Sequence, residues 1–139
     1  MPEKITGGCL CGAVRYEASE APKIVVNCHC LDCRKTSGTC HGTHVGLAKG
    51  SFTVSGEVRF YDSTADSGNI ASRGFCPTCG SPVYSKNSAM GDMVAVRASS
   101  LDDPEIAKPQ LAVYASRAVS WDPVDPACKA FPGMPERPA

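Results

Sequence analysis

Nine cysteines in 139 residues, seven of them in three tight clusters, constrain this chain more than any other feature. The clusters are Cys9-Leu10-Cys11, Cys28-His29-Cys30-Leu31-Asp32-Cys33 and Cys76-Pro77-Thr78-Cys79-Gly80. An odd cysteine count cannot close a full disulfide framework. Met1 to Cys11 lacks the apolar stretch of a secretory signal, so the chain is expected in the cytoplasm, where thiols stay reduced. Clustered cysteines in such a chain read first as metal ligands.

The Cys76–Cys79 cluster has the form of a zinc knuckle. Two thiolates separated by two residues can face one ion from a tight turn; proline pre-sets that turn, and a following glycine accepts the positive φ it needs. A structural zinc takes four ligands. Cys9 and Cys11, set among Gly7, Gly8 and Gly12, are the natural second pair. Cys9, Cys11, Cys76 and Cys79 are therefore expected to form a closed structural site joining distant parts of the chain.

Cys28, Cys30 and Cys33 can then take three corners of a second tetrahedron, and the fourth corner decides function. Water or substrate there makes the site open and catalytic; Cys40, His41 or His44 there makes it structural. His29, between two ligands, is expected to point away. Three thiolates on Zn²⁺ suit a soft fourth ligand, and a thiol bound there is deprotonated at neutral pH. An open site would thus favour chemistry at a carbon–sulfur bond, with Cys28, Cys30 and Cys33 as its catalytic ligands. Arg34 and Lys35 follow directly and read either as a clamp for the carboxylates of a small acidic thiol or as a solvated basic turn. Cys128 stands apart as an isolated thiol.

Other totals narrow the alternatives. The 14 Lys plus Arg balance 14 Asp plus Glu, and aromatics make up 6%, which argues against a nucleic-acid surface. No apolar run reaches the ~18 residues of a spanning helix. Thirteen Gly and eleven Pro disfavour long helices. Strand-like runs occur at Ala13–Ala18, Lys23–Asn27, Phe52–Ser55, Val58–Tyr61, Ile70–Phe75, Pro82–Ser85, Met93–Ala98 and Gln110–Ala115. Gly56-Glu57, between two of them, predicts a hairpin. Short helical turns are expected over Leu31–Ser37, ended by Gly38, and over Leu101–Ile106. The expected fold is one mainly β domain over residues 5–122, with two zinc sites and a Pro-rich tail, residues 123–139, packed as an irregular strap or left loose.

Three stretches resemble the family of glutathione-dependent formaldehyde-activating enzymes, which includes the domain of centromere protein V. They are Gly8 to Tyr16 (GCLCGAVRY), Cys28 to Gly38 (CHCLDCRKTSG) and Arg73 to Ser81 (RGFCPTCGS). Leu101-Asp102-Asp103 and Trp121 extend the likeness. The resemblance implies folded-over antiparallel sheets, a β-tent related to zinc ribbons. It implies a structural zinc at Cys9, Cys11, Cys76 and Cys79, and a catalytic zinc at Cys28, Cys30 and Cys33. The implied activity joins glutathione to formaldehyde, giving S-hydroxymethylglutathione, a carbon–sulfur lyase reaction in reverse. The expected partner is a small thiol such as glutathione, with no membrane; a homodimer is among the assemblies allowed. The competing reading is a non-enzymatic zinc-binding module for a macromolecular partner.

Overall fold

The computed structural model describes residues 4–65 and 67–135, so the last four residues of the expected tail lie outside the described residues. Among the described residues, eleven strands, one short α-helix and four single 3-10 turns build a mainly β domain of two sheets. The smaller sheet holds β1 (Ile5–Gly8), β2 (Arg15–Ala18) and β5 (Phe52–Ser55), in the order β1-β2-β5. The larger holds β3 (Ile24–Cys28), β4 (Gly42–Ala48), β6 (Arg59–Thr64), β7 (Ile70–Phe75), β8 (Pro82–Asn87), β9 (Met93–Arg97), β10 (Leu111–Val113) and β11 (Lys129–Ala130). Its order is β11-β10-β3-β4-β9-β8-β7-β6, antiparallel except that β10 runs parallel to both β3 and β11. Helix α1 (Leu31–Lys35) follows β3. None of the described helices is long and apolar enough to cross a membrane.

Alternation places the core between the sheets. In β2 the burial reads exposed-buried-exposed-buried, so Tyr16 and Ala18 face inward. They meet Val45 and Leu47 of β4, Val83 of β8 and Val94 and Val96 of β9 in one buried cluster. A run of rings carries the contact across: Tyr16 to Phe52 at 5.5 Å between centroids, Phe52 to Tyr84 at 4.9 Å, and Tyr84 edge-on to Phe60 at 5.5 Å. The Tyr16 hydroxyl lies 2.6 Å from Ser100 Oγ, which satisfies a buried polar group.

The expected Gly56-Glu57 hairpin does not form. β5 pairs with β2, Arg15 opposite Ser55, whereas β6 pairs with β7, Arg59 opposite Phe75. The two residues instead carry the chain from one sheet to the other. Gly56 sits at φ +92°, where a Cβ would stand 2.0 Å from the Ala13 carbonyl oxygen. The local turn signal was real, but long-range pairing decided what it joins. Gly56→Ala combines a left-handed conformation with a backbone clash and is expected to cost at least ~2 kcal/mol. Urea unfolding checks this; a midpoint indistinguishable from wild type would mean the crossing is loose.

The tail contributes β11, its Lys129 and Ala130 pairing with Leu111 and Ala112 of β10. β1 and β4 were not anticipated from the sequence. β4 lies in the interior of the larger sheet, between β3 and β9.

Candidate functional site

The first cluster lies where the two sheets meet. Cys9 and Cys11 occupy the loop from β1 to β2, and Cys76 and Cys79 the turn from β7 to β8. All four sulfurs fall within 4.8 Å of one another. Cys9 to Cys11 is 3.6 Å and Cys11 to Cys76 is 3.7 Å. A tetrahedral zinc with ~2.3 Å bonds to sulfur requires sulfur–sulfur edges of ~3.8 Å, so the spacing fits such an ion. Backbone N–H groups already point at the sulfurs: Val14 N donates to Cys9 Sγ at 3.2 Å and Thr78 N to Cys76 Sγ at 3.4 Å. Leu10 N donates to Ser81 Oγ at 3.1 Å, which leaves the hydroxyl hydrogen for Cys79 Sγ at 3.2 Å. The Ser81 hydroxyl, helped by backbone N–H groups of Ser81 and Cys11, holds the Cys79 thiol down at about 5. At Cys79 this favours thiolate, the form that binds metal.

The second cluster is built by the end of β3 and the start of α1. Cys28 is the last residue of β3. Cys30 caps α1 in an extended conformation, its sulfur accepting from Cys33 N at 3.3 Å. One turn later Cys33 is buried, at 5% exposure. The three sulfurs lie within 4.8 Å of one another, and no fourth Cys, His, Asp or Glu of the described residues joins that group. Hydrogen bonds from Cys28 and Cys33 draw the Cys30 thiol far down, while the contacts with Cys30 and Cys33 push Cys28 far up. The three thiols thus release one proton readily and resist releasing more, as like charges at short range must. A divalent cation is what allows all three to ionise, and this donor set fits one.

The other expected candidates are placed as follows. His44, on β4, sets Nε2 3.3 Å from Cys33 Sγ. Burial first, then the charges of Arg97 and Arg73, hold its imidazole down at about 3. His44 is therefore neutral at physiological pH, and a Cys33 thiolate requires that Nε2 carry the hydrogen. His41 turns away, its Nδ1 2.6 Å from Asp122 Oδ2 and its ring 5.2 Å from that of His29. Cys40 and Cys128 are half-buried and outside every cluster of possible ligands among the described residues. Arg34 and Lys35 occupy the last turn of α1, Arg34 half-buried and Lys35 exposed.

Sequence reasoning missed Arg97. It ends β9, opposite His44 of β4, and is 6% exposed. It donates to Thr36 O at 2.8 Å and Thr36 Oγ1 at 2.7 Å, gripping the C-terminal end of α1. Its charge also acts on Cys33, Cys28 and Cys30. The available signal was a lone charge closing an otherwise apolar strand, Met93-Val94-Ala95-Val96-Arg97. Gly42 matters for the same packing: it faces Cys28 across β3 and β4, and a Cβ on it would meet His44 Nε2 at 3.1 Å and Cys33 Cβ at 3.5 Å.

Residues 4–117 match the family model described as glutathione-dependent formaldehyde-activating enzyme. No curated protein matches the chain. Among solved structures, a crystal structure of a Rhodobacter sphaeroides protein is similar, with a TM-score of 0.58 and 20% identity over 75% of this chain and 96% of that one. At that identity the likeness speaks for the fold alone. The family match, by contrast, takes in all three cysteine clusters and both sheets up to β10, and by it this chain belongs to the glutathione-dependent formaldehyde-activating enzyme family.

Proposed function

We propose that the protein is a zinc-dependent carbon–sulfur lyase acting on the adduct of a small thiol, glutathione in the first instance, with an aldehyde such as formaldehyde. The observation that carries this reading is the group of three sulfurs, with no fourth Cys, His, Asp or Glu ligand atom of the described residues within 4.8 Å of all three. The closed four-sulfur group is the structural zinc site and the three-sulfur group the catalytic one. Bound by Cys28, Cys30 and Cys33, zinc would supply the positive charge that keeps a substrate thiol ionised and nucleophilic.

The chain's own residues do the remaining work. Cys28, Cys30 and Cys33 present soft donors on a strand end and a helix turn that β4 and β9 hold rigid. His44 donates Nε2–H toward Cys33, which fixes that sulfur's direction and tempers its basicity. Arg97 of β9 and Arg73 of β7 offset the accumulated negative charge, Arg97 acting on all three sulfurs and Arg73 on Cys33. Arg34 and Lys35, on the helix bearing Cys33, would receive the carboxylates of an acidic thiol.

The adduct also forms without a catalyst, so the test must measure a rate against that background. At equilibrium, exchange NMR with ¹³C-formaldehyde and glutathione is expected to show faster interconversion of hydrate and adduct in proportion to enzyme concentration. Exchange that stays at the background rate with metal-loaded protein would sink the reading for this substrate pair.

A further inference from the structure

Outside both sulfur clusters, one group of side chains is without a role in the chemistry above. His29, His41 and Asp122 bring their ligand atoms within 4.8 Å of one another. They come from three separate segments: the loop between β3 and α1, the residue before β4, and the stretch after β10.

His29 is the informative member. Its place between Cys28 and Cys30 turns its ring away from the sulfurs, and it is 2% exposed. Neither Nδ1 nor Nε2 has a hydrogen-bond partner. A buried polar atom left unpaired costs roughly 1–3 kcal/mol, and an apolar side chain would fill the same space without that cost. The ring lies against His41 at 5.2 Å between centroids and 35° between planes, so contact alone accounts for its packing and not for its two nitrogens. His41 in turn is held by Asp122 through Nδ1 at 2.6 Å. Asp122 also receives Thr39 Oγ1 at 3.5 Å. The side chains of His41 and Asp122 are 25% and 15% exposed, enough for an ion to enter.

We propose that His29, His41 and Asp122 form a third metal site, which takes a divalent first-row transition ion on two imidazoles and a carboxylate. This donor set is harder than the thiolates of the other clusters, so it selects by different chemistry. Two histidines and one carboxylate leave coordination positions open for water or a small ligand. An ion here satisfies a nitrogen of His29 and fastens the segment around Asp122 to the loop that carries Cys28 and Cys30.

The proposal is independent of the lyase reading, because its readout is metal uptake without any substrate. Full-length protein loaded with zinc at its thiolate sites is titrated with Co²⁺. The expected result is one further equivalent with visible d–d bands and no thiolate charge-transfer band in the near ultraviolet. His41→Gln and Asp122→Asn should each lower affinity for that equivalent at least ~10-fold. Their melting in the zinc-loaded state should stay close to wild type, which shows that they are folded. ¹⁵N shifts of the His29 and His41 ring nitrogens should move on Zn²⁺ addition in wild type, and in Asp122→Asn only at a correspondingly higher Zn²⁺ concentration. Uptake limited to sites with thiolate bands would overturn the proposal, as would a further equivalent that survives both substitutions unchanged.

Discussion

Cys76→Ser is expected to leave the chain without a cooperative melt at room temperature, and a strong chelator should do the same to the wild-type protein. Cys76 is fully buried, at 0% exposure, and belongs to both the core cluster and the four-sulfur group. That group joins the β1–β2 loop of one sheet to the β7–β8 turn of the other. Occupation by zinc would make metal binding part of folding, worth ~10–16 kcal/mol in small zinc peptides. A domain of this kind has only ~5–15 kcal/mol of total stability, so losing even half of the metal's contribution is enough to unfold it. The chelator arm matters because serine at position 76 also disturbs packing; metal removal changes no side chain. Cys128→Ser serves as the control, since Cys128 is half-buried and belongs to no cluster of possible ligands, and its melt should shift little. Circular dichroism with measured zinc content decides the matter. A chelated wild-type protein that still melts cooperatively within a few degrees of the loaded one would show that the four-sulfur group does not hold the sheets together.

What could be read in advance was whatever is local. The knuckle at Cys76–Cys79, the helix turn beginning after Cys30, and strands such as Ile70–Phe75 carry their signal within a few residues, through spacing, capping and alternation. The pairing of Cys9 and Cys11 with Cys76 and Cys79 was legible because four ligands are a chemical requirement that leaves few combinations. β4 was not legible. Gly42, His44 and Gly46 interrupt its apolar pattern, and each interruption answers to something distant: Gly42 lets Cys33 approach, Gly46 lies under Ile24, and His44 meets Cys33. The Gly56 crossing failed for a related reason, since a turn signal does not say which strands it joins. Arg97 and the His41–Asp122 pair depend on contacts between residues 61 or more positions apart, and His29 on a buried ring whose nitrogens have no hydrogen-bond partner. No periodicity or short motif records such facts.

Cys33→Ser is expected to remove at least ~10³-fold of any catalysed exchange while the protein stays folded. The contrast with Cys76 follows from position. Cys33 is the buried residue of α1 and sits in the small cluster with Cys28 and Val113, apart from the main core cluster between the sheets. Serine offers a harder and far less acidic ligand, and it no longer accepts the His44 contact as a thiolate does. A loss of ~10³ corresponds to roughly 4 kcal/mol of transition-state stabilisation, within the several kcal/mol that a metal-held charge contributes. Substitution by Co²⁺ separates the two sites: thiolate charge-transfer intensity should fall from that of seven sulfurs toward that of the four in the closed group. Melting should stay within a few degrees of wild type, because the closed group is intact. If Cys33→Ser accelerates exchange as well as wild type with only four thiolates on metal, the reaction does not occur at the three-sulfur group. If both activity and all seven thiolates are lost together, the two sites are not separable, and the division of labour between them fails.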